Sequence, residues 1–248
     1  VLGDLHYANI DEGAYKKFLK IAKELEVGKL VLHDWVDGES VVPHIRNNHI
    51  MLARLAQEDR LNAAKEMDNA CKRVVKLAGD FSKIYIVASN HPDWFLRHLE
   101  GNFHTKDPHN RVFFNELEEY ALKGKDPLEQ YFRKRYPNAK NVIFLKREKG
   151  LKYKGIEIGT HGDQGSNGSR GSIKQSELIH GAVTDAHGHS FEILRDAWRA
   201  GCVCKLDQRY NGGGGSGWIL NSILHYSSGM RQGINLIRHS KNKLTYRG

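Results

Sequence analysis

Five times along this chain a short apolar run ends in residues that can hold a cation. Leu2 leads into Asp4 and His6, residues 29–33 into Asp34 and Asp37, and residues 83–89 into Asn90 and His91. Residues 156–159 lead into His161 and Asp163, and residues 181–184 into His187 and His189. Such repetition constrains the fold more than any composition figure. In an open α/β sheet the C-terminal strand edges line one crevice, so side chains far apart in sequence converge there. Asp4-x-His6 and His187-x-His189 each put two donors on one side of an extended chain, because side chains alternate with period 2.

Between these runs the pattern is helical. Residues 11–25 carry Phe18, Leu19, Ala22 and Leu25 on one stripe with Lys16, Lys17, Lys20 and Lys23 opposite, and Gly28 is placed to end the helix. Residues 45–78 repeat Met51, Leu52, Leu55, Met67, Cys71, Val74 and Val75 at helical spacing, as one long helix or as two broken near Asp59. The order strand, helix, strand implies right-handed βαβ units and a parallel sheet. After Pro92, helices are expected over 93–99, 115–123 and 128–136, punctuated by prolines, so about 93–137 reads as a helical insertion. From Asn141 onward short strands dominate: 142–145, 151–153, 156–159, 181–184, 191–194, 218–226 and 233–237. The glycine-rich stretch 212–217 reads as a loop within one α/β domain spanning 1–248, and the basic tail 241–248 as loosely held. Further segments upstream of Val1 and beyond Gly248 stay open.

The 248 residues include 38 Lys and Arg against 29 Asp and Glu, a net charge of +9 that favours a polyanionic partner. No apolar run approaches the ~20 residues needed to cross a bilayer, and no secretory pattern follows Val1. A cytoplasmic protein without a membrane partner is therefore expected, with homo-oligomerisation left open. Cys71, Cys202 and Cys204 are an odd number and are expected to pack rather than pair in a reducing compartment. Cys202-x-Cys204 has the spacing of a metal half-site, although Val203 and Leu206 beside it favour burial.

Carboxylate, carboxamide and imidazole together suit a hard-to-borderline divalent ion, and no cysteine cluster adjoins them as a closed structural zinc site requires. Mn²⁺ fits best, with Fe, Zn and Mg as alternatives. Two such ions ~3.5–4 Å apart activate water and neutralise a phosphoryl group during in-line displacement, which calls for a bridging carboxylate.

In chain order, Gly3-Asp4-Leu5-His6, Asp34-x-x-Asp37, Ser89-Asn90-His91, His161 and His187-Gly188-His189 resemble the motifs of the calcineurin-like metallophosphoesterases. The likeness runs from Asp4 to His189. It implies an αββα fold, a β-sandwich flanked by helices. It also implies that Asp4, His6 and His189 hold one metal, that Asn90, His161 and His187 hold the other, and that Asp34 bridges both. His91 matches the family's substrate-facing histidine, which stabilises the transition state or protonates the leaving oxygen. His33, Ser89 and Ala186 stand where the family usually has glycine, and Pro92 stands where it has an acid. The nearest acid is Asp93, which leaves open what orients His91. The stretch from His161 through Gly165, Asn167, Gly168 and Arg170 to Ser172, and Tyr210 followed by the glycine-rich stretch, Ser216 and Trp218, are similar to phage-encoded members of the superfamily. Those members include DNases, and repair nucleases that use two manganese ions are related. The resemblance thus implies a phage nuclease that hydrolyses DNA, present in the host cytoplasm. The alternatives are a phosphodiesterase for small nucleotides, a protein phosphatase of the same superfamily, or a non-catalytic scaffold.

Several residues carry two readings. Asp37 and Asp163 orient ligand histidines or simply occupy turns. Arg170, between glycines, grips a substrate phosphate or is a solvated loop charge. Lys146, Arg147, Lys149, Lys152 and Lys154 track a DNA backbone or form a solvated hairpin face. Tyr210 and Trp218 stack a base or pack in the core. His33, His44, His49, His98, His104, His109, His180, His225 and His239 fit no ligand motif and are read as surface or packing residues, with His33 notable for adjoining Asp34.

Overall fold

A computed structural model describes residues 1–43, 48–208, 216–240 and 243–247. The expectations for His44, Tyr210 and most of the glycine-rich stretch lie outside the described residues. The first half of the chain runs α1 (Glu12–Glu24), β1 (Lys29–Leu32), α2 (His49–Gln57), α3 (Ala63–Asp80), β2 (Lys83–Ile86), α4 (Asp93–Glu100), α5 (Arg111–Leu122), α6 (Pro127–Arg135) and β3 (Val142–Phe144). The second half runs β4 (Lys152–Tyr153), β5 (Ile156–Glu157), α7 (Ile173–His180), β6 (Val183–Asp185), β7 (Glu192–Leu194), β8 (Ala197–Arg199), β9 (Asn221–His225), β10 (Arg231–Ser240) and β11 (Lys243–Arg247). The architecture is mixed α/β.

Capping explains most helix boundaries. Asp11 accepts a hydrogen bond from the Ala14 amide at the start of α1, and Asn62 accepts one from Lys65 at the start of α3. The chain from 49 to 80 is two helices rather than one, and Asp59 between them adopts a left-handed φ of 54°. The second insertion helix, α5, starts at Arg111 rather than near 115. Asn110 just before it accepts from the Ala63 amide at 2.7 Å and donates to the Leu61 carbonyl at 2.9 Å, tying the start of α5 to that of α3.

Strands β1, β2 and β3 pair in parallel, as the βαβ order requires. Leu2 makes a parallel bridge to Leu32 and an antiparallel one to Ser222, so a single row of backbone joins this parallel half to the antiparallel strands β9, β10 and β11. The second sheet has the order β4-β5-β6-β8-β7. Faces alternate along β1 and β2. Leu30, Leu32, Ile84 and Ile86 enter the large core with Phe18, Met67, Val74 and Phe114 of the helices, whereas Val31, Tyr85 and Val87 pack with Ile156, Ile158 and Tyr153 of the second sheet. Helix α7 packs against β6, β7 and β8.

Three elements depart from expectation. Helix α7 carries no apolar stripe, since Ser176 is its buried residue while Leu178 and Ile179 are exposed, so no helical periodicity announces it. The turn between β7 and β8 places Arg195 at φ 50° where glycine is usual, which hid the hairpin. The tail is not loose over 243–247: β11 pairs with β10, Leu236 opposite Tyr246, and Lys17 of α1 lies over the Tyr246 ring at 5.8 Å.

Candidate metal centre

The donors sit where the parallel strands end. Asp4 and His6 follow the Leu2 row, Asp34 follows β1, Asn90 and His91 follow β2, His161 follows β5, and His187 and His189 follow β6. Gly3 makes the first placement possible, because a Cβ there would lie 2.1 Å from the Gly201 carbonyl oxygen. His6, Asp34, His187 and His189 have φ of 43°, 41°, 73° and 57°. Left-handed backbone at a non-glycine residue costs of order 1–3 kcal/mol and collects at functional sites. Here it turns each side chain inward as its strand ends.

Asp4, His6, Asp34 and His189, all buried, bring one ligand atom each to within 4.8 Å of one another. His189 Nε2 lies 3.1 Å from His6 Nε2 and 3.1 Å from Asp4 Oδ2. On the other side, His161 Nε2 lies 2.9 Å from Asn90 Oδ1 and 3.2 Å from Asp34 Oδ2, and the His187 ring is 5.1 Å from the His161 ring. Asp34 Oδ2 is also 3.7 Å from His6 Nε2, so this carboxylate stands between the two groups.

Neither oxygen of Asp4 nor of Asp34 accepts a hydrogen bond from a protein donor, although both residues are buried. Burying a charge without a partner is expensive. Burial pushes both carboxyls up, but His189 and His161 around Asp4, and His161, His91 and His6 around Asp34, override it and hold both well below the usual range. Burial and the neighbouring His161 push His187 down to about 4, and burial pushes His189 down as well, against the pull of Asp4. Against burial, Asp34 and Asp4 drive His161 up to about 9. In this state protonated imidazole supplies the positive charge that the carboxylates need. The donor set, four carboxylate oxygens facing imidazole nitrogens and a carboxamide oxygen, fits divalent cations.

His91 lies beside this cluster, its ring 4.3 Å from that of His6 and 4.0 Å from that of Trp94. Its Nδ1 is 2.7 Å from the Asp37 carbonyl oxygen and 3.3 Å from Asp37 Oδ1. Burial opposes its protonation, but Asp34 and Asp37 push it up to about 9. Asp37 also faces His6 Nδ1 at 3.3 Å and accepts a hydrogen bond from Asn9. Of its two readings, orientation of histidines is the one its contacts match. The charge of Asp163 favours protonation of His161 and His187, while Asp163 and Asp93 hold Arg147, whose guanidinium lies 3.0 and 2.7 Å from them. This also takes Arg147 out of the basic run, while Lys146, Lys149, Lys152 and Lys154 stay exposed.

Arg170 is exposed and lines a cavity of about 440 Å³ with His91, Lys174, His187, His189 and Trp218. Trp218 forms a wall of the site, edge-on to His189 at 4.0 Å, rather than joining the core. A larger cavity of about 590 Å³ opens behind Asp37 and includes no other member of the cluster. His98 and His104 pack on Phe114, as read, whereas His33 is buried with its Nδ1 3.3 Å from His161 Nδ1. Sequence reasoning missed Asn9 and the buried pair Asp185–Arg199. Arg199 reaches the Asp185 carboxylate at 2.7 and 2.8 Å, and its Nη2 is 3.5 Å from the Gly162 carbonyl next to His161. Asn9, three residues past His6, was the one with a local signal; Asp185–Arg199 depends on strand pairing.

No family model matches the chain, and no solved structure matches it. It is 30% identical over 244 residues to Protein A1 of Escherichia phage T5, an alignment covering 92% of this chain and 44% of that protein. The chain is related to a phage protein. It spans less than half the length of that relative. Among the described residues, no helix is long and apolar enough to cross a membrane.

Proposed function

We propose that this chain is a two-metal phosphodiesterase of the calcineurin-like metallophosphoesterase type, and that it serves a phage as a nuclease acting on DNA. The observation that carries the reading is the buried pair Asp4 and Asp34, whose four oxygens have no hydrogen-bond donor amid imidazoles and a carboxamide. The two packed sheets with helices on them, and the likeness to a phage protein, support it. Asp4, His6 and His189 would hold one ion, Asn90, His161 and His187 the other, and Asp34 both. Mn²⁺ is the first choice, with Fe, Zn or Mg as alternatives. When bound, such ions neutralise charge on the phosphoryl oxygens and lower the pKa of the attacking water.

The chain's own residues do the rest. Asp37 fixes the His91 ring through Nδ1, which leaves Nε2 for the leaving oxygen. Arg170 and Lys174 line the adjoining cavity and offer positive charge to a phosphate of the bound strand. The test is incubation of the purified protein with linear, circular and single-stranded DNA, and with an aryl phosphodiester, under Mn²⁺, Mg²⁺ or EDTA. Cleavage that requires Mn²⁺ and stops with EDTA is expected. Metal-loaded protein that hydrolyses none of these substrates would overturn the reading, and hydrolysis of the aryl diester alone would move the substrate to a small nucleotide.

A further inference from the structure

Cys204 lies against the candidate centre. Its sulfur and one nitrogen each of His6 and His189 lie within 4.8 Å of one another, and all three residues are buried. The backbone locks this placement. Asp4 forms a parallel bridge with Cys202, the Val203 amide donates to the Asp4 carbonyl at 2.8 Å, and the Lys205 amide donates to the Asn9 carbonyl at 2.9 Å. Alternation along this extended segment turns Val203 into the large core and leaves the cysteines on the other side. The two thiols differ. Cys202 Sγ has carbonyl oxygens for partners, Cys204 O at 3.9 Å and Ile219 O at 3.7 Å. Cys204 has the imidazoles as well as the Cys202 thiol, and lies near Asp4 and a His189 Nδ1 that has no hydrogen-bond partner.

We propose that Cys204 is a sulfur ligand to the ion held by Asp4, His6 and His189, and that it shifts the preference of this position from manganese toward zinc, iron or cobalt. The inference rests on the two-metal reading above. Thiolate is a soft donor that favours these ions over hard Mn²⁺. As the metal–sulfur bond forms, the thiol proton passes to solvent.

Titration of metal-free protein with Co²⁺ tests it. A near-ultraviolet sulfur-to-cobalt charge-transfer band is expected, retained in C71S and C202S and lost in C204S, while C204S keeps the visible cobalt bands. The preference for Zn²⁺ over Mn²⁺ should fall about 10-fold or more in C204S, the scale on which a changed shell alters affinity. Zinc-edge X-ray absorption of the unaltered protein, independent of any variant's folding, should show sulfur at about 2.3 Å. Cobalt uptake with no sulfur band, a band that persists in C204S, or zinc with only light-atom neighbours would overturn the proposal and leave the two-metal reading standing. No cobalt uptake by the unaltered protein would overturn both.

Discussion

One carboxylate, that of Asp37, serves both His6 and His91, 3.3 Å from a ring nitrogen of each. Asp37→Asn keeps the shape but loses the charge, and should lower turnover of an aryl phosphodiester by about 10²-fold, within the range for a positioned proton donor. His91→Ala should cost at least as much while metal content stays at two ions per chain by elemental analysis. Asp34→Ala should instead lose metal. Full turnover in His91→Ala together with unchanged metal in Asp34→Ala would remove the basis of both roles. Glu66 carries a pH dependence of its own. It accepts hydrogen bonds from the Glu39 and Ser40 amides at 3.1 Å, yet burial and the charges of Asp37 and Glu39 push it up to about 7. A carboxyl raised on folding contributes stability that is present below its unfolded pKa and lost as pH rises through the folded value. Urea midpoints should therefore fall between about pH 5 and pH 8, and Glu66→Gln should flatten that fall.

At the level of elements, what could be read in advance follows from which faces are buried. β1 and β2 are covered on both sides, so Leu30-Val31-Leu32 and Ile84-Tyr85-Ile86 stand out as apolar runs, and their ends disclose Asp34, Asn90 and His91. Helix α7 and strand β8 lack any such stripe. Partners set by pairing across the chain were also hidden: nothing near Asp4 in sequence says that Cys202 will lie beside it, and nothing near Asp93 says that Arg147 will claim it. β6 and β8 illustrate the same point through Asp185 and Arg199, which the parallel register sets opposite each other. This pair is buried, and the Arg199 guanidinium also reaches toward the Gly162 carbonyl. Arg199→Met would strand a buried carboxylate and should cost about 3–5 kcal/mol in urea unfolding. Little change would mean that Asp185 is already neutral.

Across the whole molecule, two quantities should report on the proposed activity. Divalent ions that bind only the folded chain raise its stability by about 2.7 kcal/mol per site at 100-fold excess over Kd, so EDTA should lower the melting temperature of metal-loaded protein. With a net charge of +9, DNA affinity should fall steeply with salt, while hydrolysis of a small aryl diester should not. Arg170→Ala should make the salt slope shallower by about one. The Leu2 row carries a kinetic consequence. Residues 2, 32 and 222 meet there, so the two halves of the first sheet become continuous only when distant stretches of the chain find one another. Contacts of such sequence separation form slowly. On dilution from urea, helical ellipticity should return early, and the ability to capture a cation should lag behind it, arriving with the last relaxation.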